Sequence, residues 1–212
     1  MAQLFSVHPQ TPQRRLIEQA AAMVRDGAVL AYPTDSCYAL GCHLGDKVAM
    51  ERLRAIRGVD DRHHLTLVCR DLRQIAQYAR VDNRQFRQLK SATPGSYTFI
   101  LEATKEVPRR LQHPKRATVG LRIPDHPVAQ ALLAALDEPL LSTTLLLPGD
   151  DLPLNDADEI RERLEKQIDL VLDAGSCGVE PTTIVDLTSD VPVIVRVGRG
   201  DPGIFGIAAA VA

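Results

Sequence analysis

"YPTDSCYALG", residues 32–41, ends a short apolar run, Ala28 to Tyr32. The run reads as a strand. After it come a Pro, a Thr-Asp-Ser trio, a Tyr and a Gly. Pro, Asp and Ser all serve turns, so a plain turn is one reading of these ten residues. A polar shoulder built at a strand tip for binding is the other.

Comparable clusters recur at other strand tips. "TPGSYT" (93–98) leads into a β-rich run from Tyr97 to Leu101. "LRIP" (121–124) carries Arg122 in a strand over 118–123, where Val119, Leu121 and Ile123 alternate. "LLSTTLLLPG" (140–149) sets Ser142, Thr143 and Thr144 in a Leu run. "PTTIVD" (181–186) repeats the Pro-hydroxyl theme with Thr183, and "VIVRVGRG" (193–200) puts Arg196 in a Val-rich strand. Strands are also expected at 64–69, 140–147, 170–172, 183–187 and 193–197.

Helices fall between them. Thr11-Pro12 opens one as N-cap and first residue, with a stripe of Leu16, Ala20, Met23 and Val24 and a stop at Gly27. Asp46 caps a second, with Val48, Met50, Leu53 and Ile56 as its apolar face and Gly58 at its end. Asp71 and Asp82 cap two short helices. Residues 127–137 and 156–166 form two more. The irregular alternation predicts an α/β fold with a mixed parallel/antiparallel sheet flanked by helices. One domain over 1–200 is expected, with a loosely ordered tail over 201–212.

Composition narrows the function. The 212 residues are 45 % hydrophobic and 25 % charged, without Trp, so Leu, Ile, Val and Ala must build the core. Roughly 70 % of the unfolded surface can be buried at this length. The net charge of −2 does not indicate a strongly cationic nucleic-acid protein. No secretory leader and no apolar run near 18 residues is present, so a cytoplasmic protein with reduced thiols and no membrane partner is expected. Cys37 and Cys42 lie close together, but Cys69 and Cys177 stand alone. That is not the pair-and-pair spacing of structural zinc, and no metal site is assigned.

Two arginines are costly where they stand. Arg122 and Arg196 interrupt apolar strands, and Arg is almost never buried unpaired. Each can face solvent, pair with Asp35 or Asp186, or converge with the hydroxyls on an anion. Guanidinium forks match phosphate oxygens bidentately. Arg52, Arg54 and Arg57 share the helix before Gly58. Arg109, Arg110, Lys115 and Arg116 form a basic loop that is either a solvated face or a phosphate-backbone contact. P-loop, G-x-G-x-x-G and nucleophile-elbow patterns are absent. His63-His64 reads more simply as structural than catalytic, and no catalytic residue is assigned.

Taken in order, "YPTDSCYALG", "TPGSYTFIL", "VGLRIPDHP", "PLLSTTLLLPG", "PTTIVDLT" and "VIVRVGRG" resemble the YrdC/YciO family over about residues 12–200. "MERLRAIR", "CRDL", "TKEVPRRL" and "RLEKQIDLV" resemble its YciO subgroup most. The resemblance implies a twisted open-sheet α/β sandwich (YrdC/RibB-like) around a basic concave cavity. It implies threonylcarbamoyl-AMP synthesis from ATP, threonine and bicarbonate, feeding tRNA modification, and double-stranded RNA binding. Thr34, Asp35, Ser36 and Tyr38 would hold the amino acid. Arg54, Arg57, Arg122, Ser142, Thr144, Thr183 and Arg196 would hold the nucleotide, ATP or an AMP-containing one, with Mg²⁺ bridging its phosphates. Arg109, Arg110, Lys115 and Arg116 would contact RNA, double-stranded or tRNA, with no DNA specificity.

Two departures qualify the activity. The synthases carry Lys-x-Arg after the second helix, where this chain reads "RAIRGVDDRHH" (54–64). They carry Ser-x-Asn where this chain has Thr144 and Leu146. Asn offers a donor and an acceptor, and Leu offers neither. The expectation is therefore a YciO-type protein that binds nucleotide or duplex RNA with degenerate synthase motifs. The alternative is an active threonylcarbamoyl-AMP synthase or a related adenylate-processing enzyme.

Overall fold

Strand β2 (Leu30–Tyr32) is buried at all three residues, and "PTDSCY" turns the chain back into a second strand, β3 (Ala39–His43). The two pair antiparallel, Leu30 with Gly41 and Tyr32 with Ala39. The structure, a computed structural model, describes residues 1–60 and 63–206. Its remaining strands are β1 (Gln3–Ser6), β4 (Thr66–Val68), β5 (Tyr97–Glu102), β6 (Thr118–Arg122), β7 (Leu140–Thr144), β8 (Leu170–Asp173), β9 (Thr183–Asp186) and β10 (Val193–Arg196). Its helices are α1 (Arg14–Arg25), α2 (Lys47–Arg57), α3 (Leu72–Tyr78), α4 (Asn83–Ala92), α5 (Pro127–Leu136) and α6 (Ala157–Leu164).

The strands form one mixed sheet in the order β1-β8-β2-β3-β7-β4-β6-β5-β9-β10. Parallel pairs (β1/β8, β2/β8, β4/β6, β5/β9) are interspersed with antiparallel ones. Successive strand residues point to opposite faces, so one run feeds two cores. On one face Leu40, Leu67, Phe99, Leu121, Leu141 and Val185 pack with Leu53 of α2, Ile75 of α3, Leu89 of α4 and Ile160 of α6. On the other, α1 and α5 cover Leu30, Tyr32, Ala39, Val68, Leu140 and Leu170. That second cluster contains no residue of β5, β6, β9 or β10. Half of one sheet face is thus left without helical cover.

Local chemistry explains most element ends. Asp46, Asp71, Asp82 and Asp156 each accept a backbone N–H three residues on, as N-caps do. Asp82 and Gln85 complete a reciprocal capping box. Gly58 closes α2 in the left-handed region, φ 62°.

Several expectations are corrected. Helix α1 starts at Arg14, not at Pro12. Gln13 is its N-cap without a side-chain cap bond, its Oε1 accepting from the His8 N–H at 3.1 Å, while the Thr11 hydroxyl is held against His8 Nδ1 at 3.0 Å. Val48 is exposed, and Ala49 takes its place against the core. Strands β1 and β3 lay outside the expected set. Within 201–212, Pro202–Phe205 form a 3₁₀ turn whose Phe205 ring meets Tyr97 edge-on at 5.7 Å. Residues 207–212 of the expected tail lie outside the described ones. No helix among the described residues is long and apolar enough to cross a membrane.

Candidate nucleotide-binding cleft

The uncovered half of the sheet is the floor of a solvent-open cleft. Register builds it. Phe99 pairs with Leu121, which brings Arg122 across from Thr98, and Thr98 pairs with Ile184, which pairs with Arg196. One cross-strand row therefore runs Arg122, Thr98, Ile184, Arg196. Val68, Thr66, Ser142 and Thr144 extend it on the other side, and Arg57, His63, His64, Cys37 and Leu146 line the walls.

Arg122 is nearly buried and does not face the cleft as a free cation. Its Nη2 donates to Asp35 Oδ1 at 2.5 Å. Asp35 is further saturated by the Ser96 hydroxyl (2.6 Å) and the Asp125 N–H (3.2 Å). The pairing with Asp35 raised by the sequence is realised. Among the described residues, Arg122 Nε nevertheless has no hydrogen-bond partner, and neither has Arg57 Nε.

Arg196 has no ion pair among the described residues. Its Nη2 donates to Thr182 O at 2.9 Å and approaches Thr182 Oγ1 at 3.5 Å. Thr182 and Thr98 share a hydroxyl–hydroxyl bond of 2.9 Å. Close approach of the two chain segments holds this arrangement. A Cβ on Gly198 would stand 2.2 Å from Pro181 O, so only Gly fits there.

The hydroxyls divide by what they already bond. Ser142 donates to Leu40 O at 2.7 Å, so the Tyr32 phenol must donate to Ser142 at 2.8 Å. Ser142 lines the cleft with its one proton committed inward. Burial pushes the Tyr32 phenol up to about 12. Thr183 points to the opposite face, donating to Gly200 O and accepting from the Gly198 N–H. Thr182, one residue earlier, is the cleft hydroxyl of "PTTIVD". Thr144 lines the cleft as expected.

The four residues expected at the amino-acid end are not brought to this cleft. Thr34 donates to Cys37 O at 2.6 Å and accepts the Ser36 N–H, which closes the turn. Ser36 is buried against Thr34. Tyr38 donates to Gly175 O at 3.0 Å, and burial pushes its phenol up. Cys37 is the residue of that stretch that lines the cleft, its thiol also pushed up by burial.

Arg54 is buried behind the wall, donating to Asp60 O at 2.7 Å, and does not line the cleft. Arg109, Arg110, Lys115 and Arg116 are exposed on a loop beside the rim. His113 of that loop meets His64 at a ring distance of 4.8 Å. Arg110 is held to Gly45 O, and Arg116 reaches Asp186 at 3.8 Å. Thr66, Thr98 and Thr182 were not singled out from sequence. Their signal is strand register, which a single chain does not display.

Burial and the neighbouring arginines hold His63 below the usual imidazole range. His64 is lowered by burial and by His113. Among the described residues no cluster of three or more His, Cys, Asp or Glu side chains could hold a metal ion.

A profile of the Sua5/YciO/YrdC family, described as "Telomere recombination", matches residues 22–198. YciO of Escherichia coli (strain K12) is 57 % identical over 201 residues, covering 95 % of this chain and 98 % of that one. The crystal structure of E. coli YciO superposes with a TM-score of 0.93 at 56 % identity, covering 97 % and 100 % of the two chains. A threonylcarbamoyl-AMP synthase of Halorhodospira halophila is 34 % identical over 172 residues, 80 % of this chain and 89 % of that one. Sua5 of P. abyssi, solved with L-threonine, superposes with a TM-score of 0.84 at 25 % identity, covering 92 % of this chain and 57 % of that one.

Proposed function

Since the chain belongs to the Sua5/YciO/YrdC family, we propose that its cleft binds a nucleotide through Arg57, Arg122, Arg196 and the Thr98, Thr144 and Thr182 hydroxyls. The observation that carries this is that Arg57, Arg122 and Arg196 line one cleft which, among the described residues, no carboxylate lines, a setting suited to an anion. The relation to threonylcarbamoyl-AMP synthases supports a nucleotide as that anion.

Duplex RNA belongs to the same proposal as a second ligand, at Arg109, Arg110, Lys115 and Arg116 on the rim. Their exposure supports it. Among the described residues no carboxylate lines the cleft, so its donor set does not fit a protein-held Mg²⁺.

Calorimetry with AMP and ATP, and filter binding of duplex RNA across a salt series, test the proposal. Saturable nucleotide affinity and a negative salt slope are expected. Absence of nucleotide affinity would end the nucleotide function, and a flat salt dependence would end the RNA one.

The second reading is residual synthase or adenylate-processing chemistry, favoured by 34 % identity to a synthase over most of the chain. Leu146 on the cleft wall opposes it, since an apolar side chain stabilises no developing charge. Incubation with ATP, threonine and bicarbonate, followed by mass spectrometry for the adenylate, decides it.

A further inference from the structure

Three arginines line the cleft, and one of them is neutralised in place. Arg122 is balanced by Asp35, with side chains only 9 % and 11 % exposed. Arg57 and Arg196 have no ion-pair partner among the described residues. Near the rim, Arg116 and Asp186 offset each other. Burial holds the His63 and His64 imidazoles below their ordinary range. Among the described residues no carboxylate lines the cleft, and Leu146, Ala39, Val68 and Ile184 give it apolar walls. The cleft therefore presents two uncompensated guanidiniums and no carboxylate for a hydrated divalent ion.

A phosphate monoester carries about −1.5 to −2 at pH 7, which matches two guanidiniums. A triphosphate carries more charge and travels with Mg²⁺, which keeps several waters and takes carboxylate ligands beside the phosphates. Leu146 and its apolar neighbours cannot solvate such an ion. We infer that the cleft selects a nucleoside monophosphate without a divalent metal, and that Leu146 is a specificity-determining residue against the Mg²⁺-bound triphosphate. This rests on the nucleotide-binding function proposed above and names its ligand class.

The test is calorimetry on the full chain with AMP and with ATP, each in EDTA and in excess Mg²⁺, for the unsubstituted protein and for Leu146→Asn. AMP is expected to bind about tenfold or more tightly than Mg²⁺–ATP, the factor of one favourable charged contact. Its Kd should be the same in EDTA and in Mg²⁺. Leu146→Asn should tighten Mg²⁺–ATP relative to AMP, with thermal melting confirming that the variant is folded. Mg²⁺–ATP binding more tightly than AMP, or AMP binding that requires Mg²⁺, overturns the inference and leaves the nucleotide function standing. An unaltered AMP-to-ATP ratio in Leu146→Asn removes Leu146 as the determinant. Binding of neither nucleotide overturns both the inference and the function it rests on.

Discussion

Arg122 Nη2 lies 2.5 Å from Asp35 Oδ1, although the two residues are 87 positions apart in the chain. The contact ties three loop segments together, because Asp35 also accepts from Ser96 and from the Asp125 N–H. It fixes one guanidinium at the cleft floor and cancels its charge there.

Breaking that pair should destabilise the fold. Removing one partner of a buried ion pair costs about 3–5 kcal/mol, because the other charge is stranded. Arg122→Ala should lower the unfolding free energy read from urea melts by an amount in that range. Asp35→Asn should cost less, since its carbonyl oxygen can still accept from Arg122 and the Asp125 N–H while its amide donates to the Ser96 hydroxyl. A double-mutant cycle with denaturant melts measures the coupling, and additivity of the two single changes would contradict it.

Arg196→Ala and Arg57→Ala should behave in the opposite way. Neither guanidinium holds an ion pair among the described residues, so each variant should stay folded. Each should weaken nucleotide binding by about 1.5–3 kcal/mol, as for a hydrogen bond to a charged group. Calorimetry reads the change. Unaltered affinity in both would make these arginines structural.

Tyr32 supplies a pH signature. Burial raises its phenol from 10.0 to about 12. The unfolded chain loses that proton first, so the contribution is intact below pH 10 and is lost as pH rises through 12. Stability should fall by about 1.4 kcal/mol per pH unit from this group across that window. The buried thiols of Cys42 and Cys177, also raised to about 12, add slope from pH 9 upward. Tyr32→Phe should remove one proton from the slope in pH-dependent denaturant melts. An identical slope in the variant would show that Tyr32 is not sealed off.

Gly198 is sterically required. A Cβ there would overlap Pro181 O and sit 2.7 Å from Thr182 C. Gly198→Ala should destabilise by about 1–3 kcal/mol, the usual cost of overpacking. It should also displace the Arg199 N–H from Pro181 O and unseat Arg196. Hydrogen exchange at Arg199, and nucleotide affinity, should change together.

The basic loop makes a salt prediction. Replacing Arg109, Arg110, Lys115 and Arg116 with Ala should flatten the dependence of log K for duplex RNA on log salt, by about 0.7–0.9 for each phosphate that the loop no longer neutralises. Filter binding at several ionic strengths measures it, and an unchanged slope would place RNA elsewhere.

Local physics made much of this protein legible in its sequence. Aspartates 46, 71, 82 and 156 cap helices through bonds that span three residues, so their meaning is contained in short windows. The apolar runs at 97–102, 118–122 and 140–144 are strands because β-rich side chains fit a pleated, packed surface. The mixed α/β class followed from their irregular alternation with helices. Motif order carried the family and, with it, Arg122, Ser142, Thr144 and Arg196 as cleft residues. Facing was another matter. Thr182 and Thr183 are adjacent and chemically identical, yet one lines the cleft and the other bonds Gly200 on the far side. A one-residue shift reverses the face in a strand, and register is set by pairing with strands far away in the chain. The same holds for Asp35, whose sequence neighbours suggest a ligand and whose spatial neighbours make it the counter-ion of Arg122. Sequence determined which elements form and which residues are chemically capable. Only the tertiary structure decided which protons and charges remain free to meet a ligand, because that depends on partners brought together by strand order.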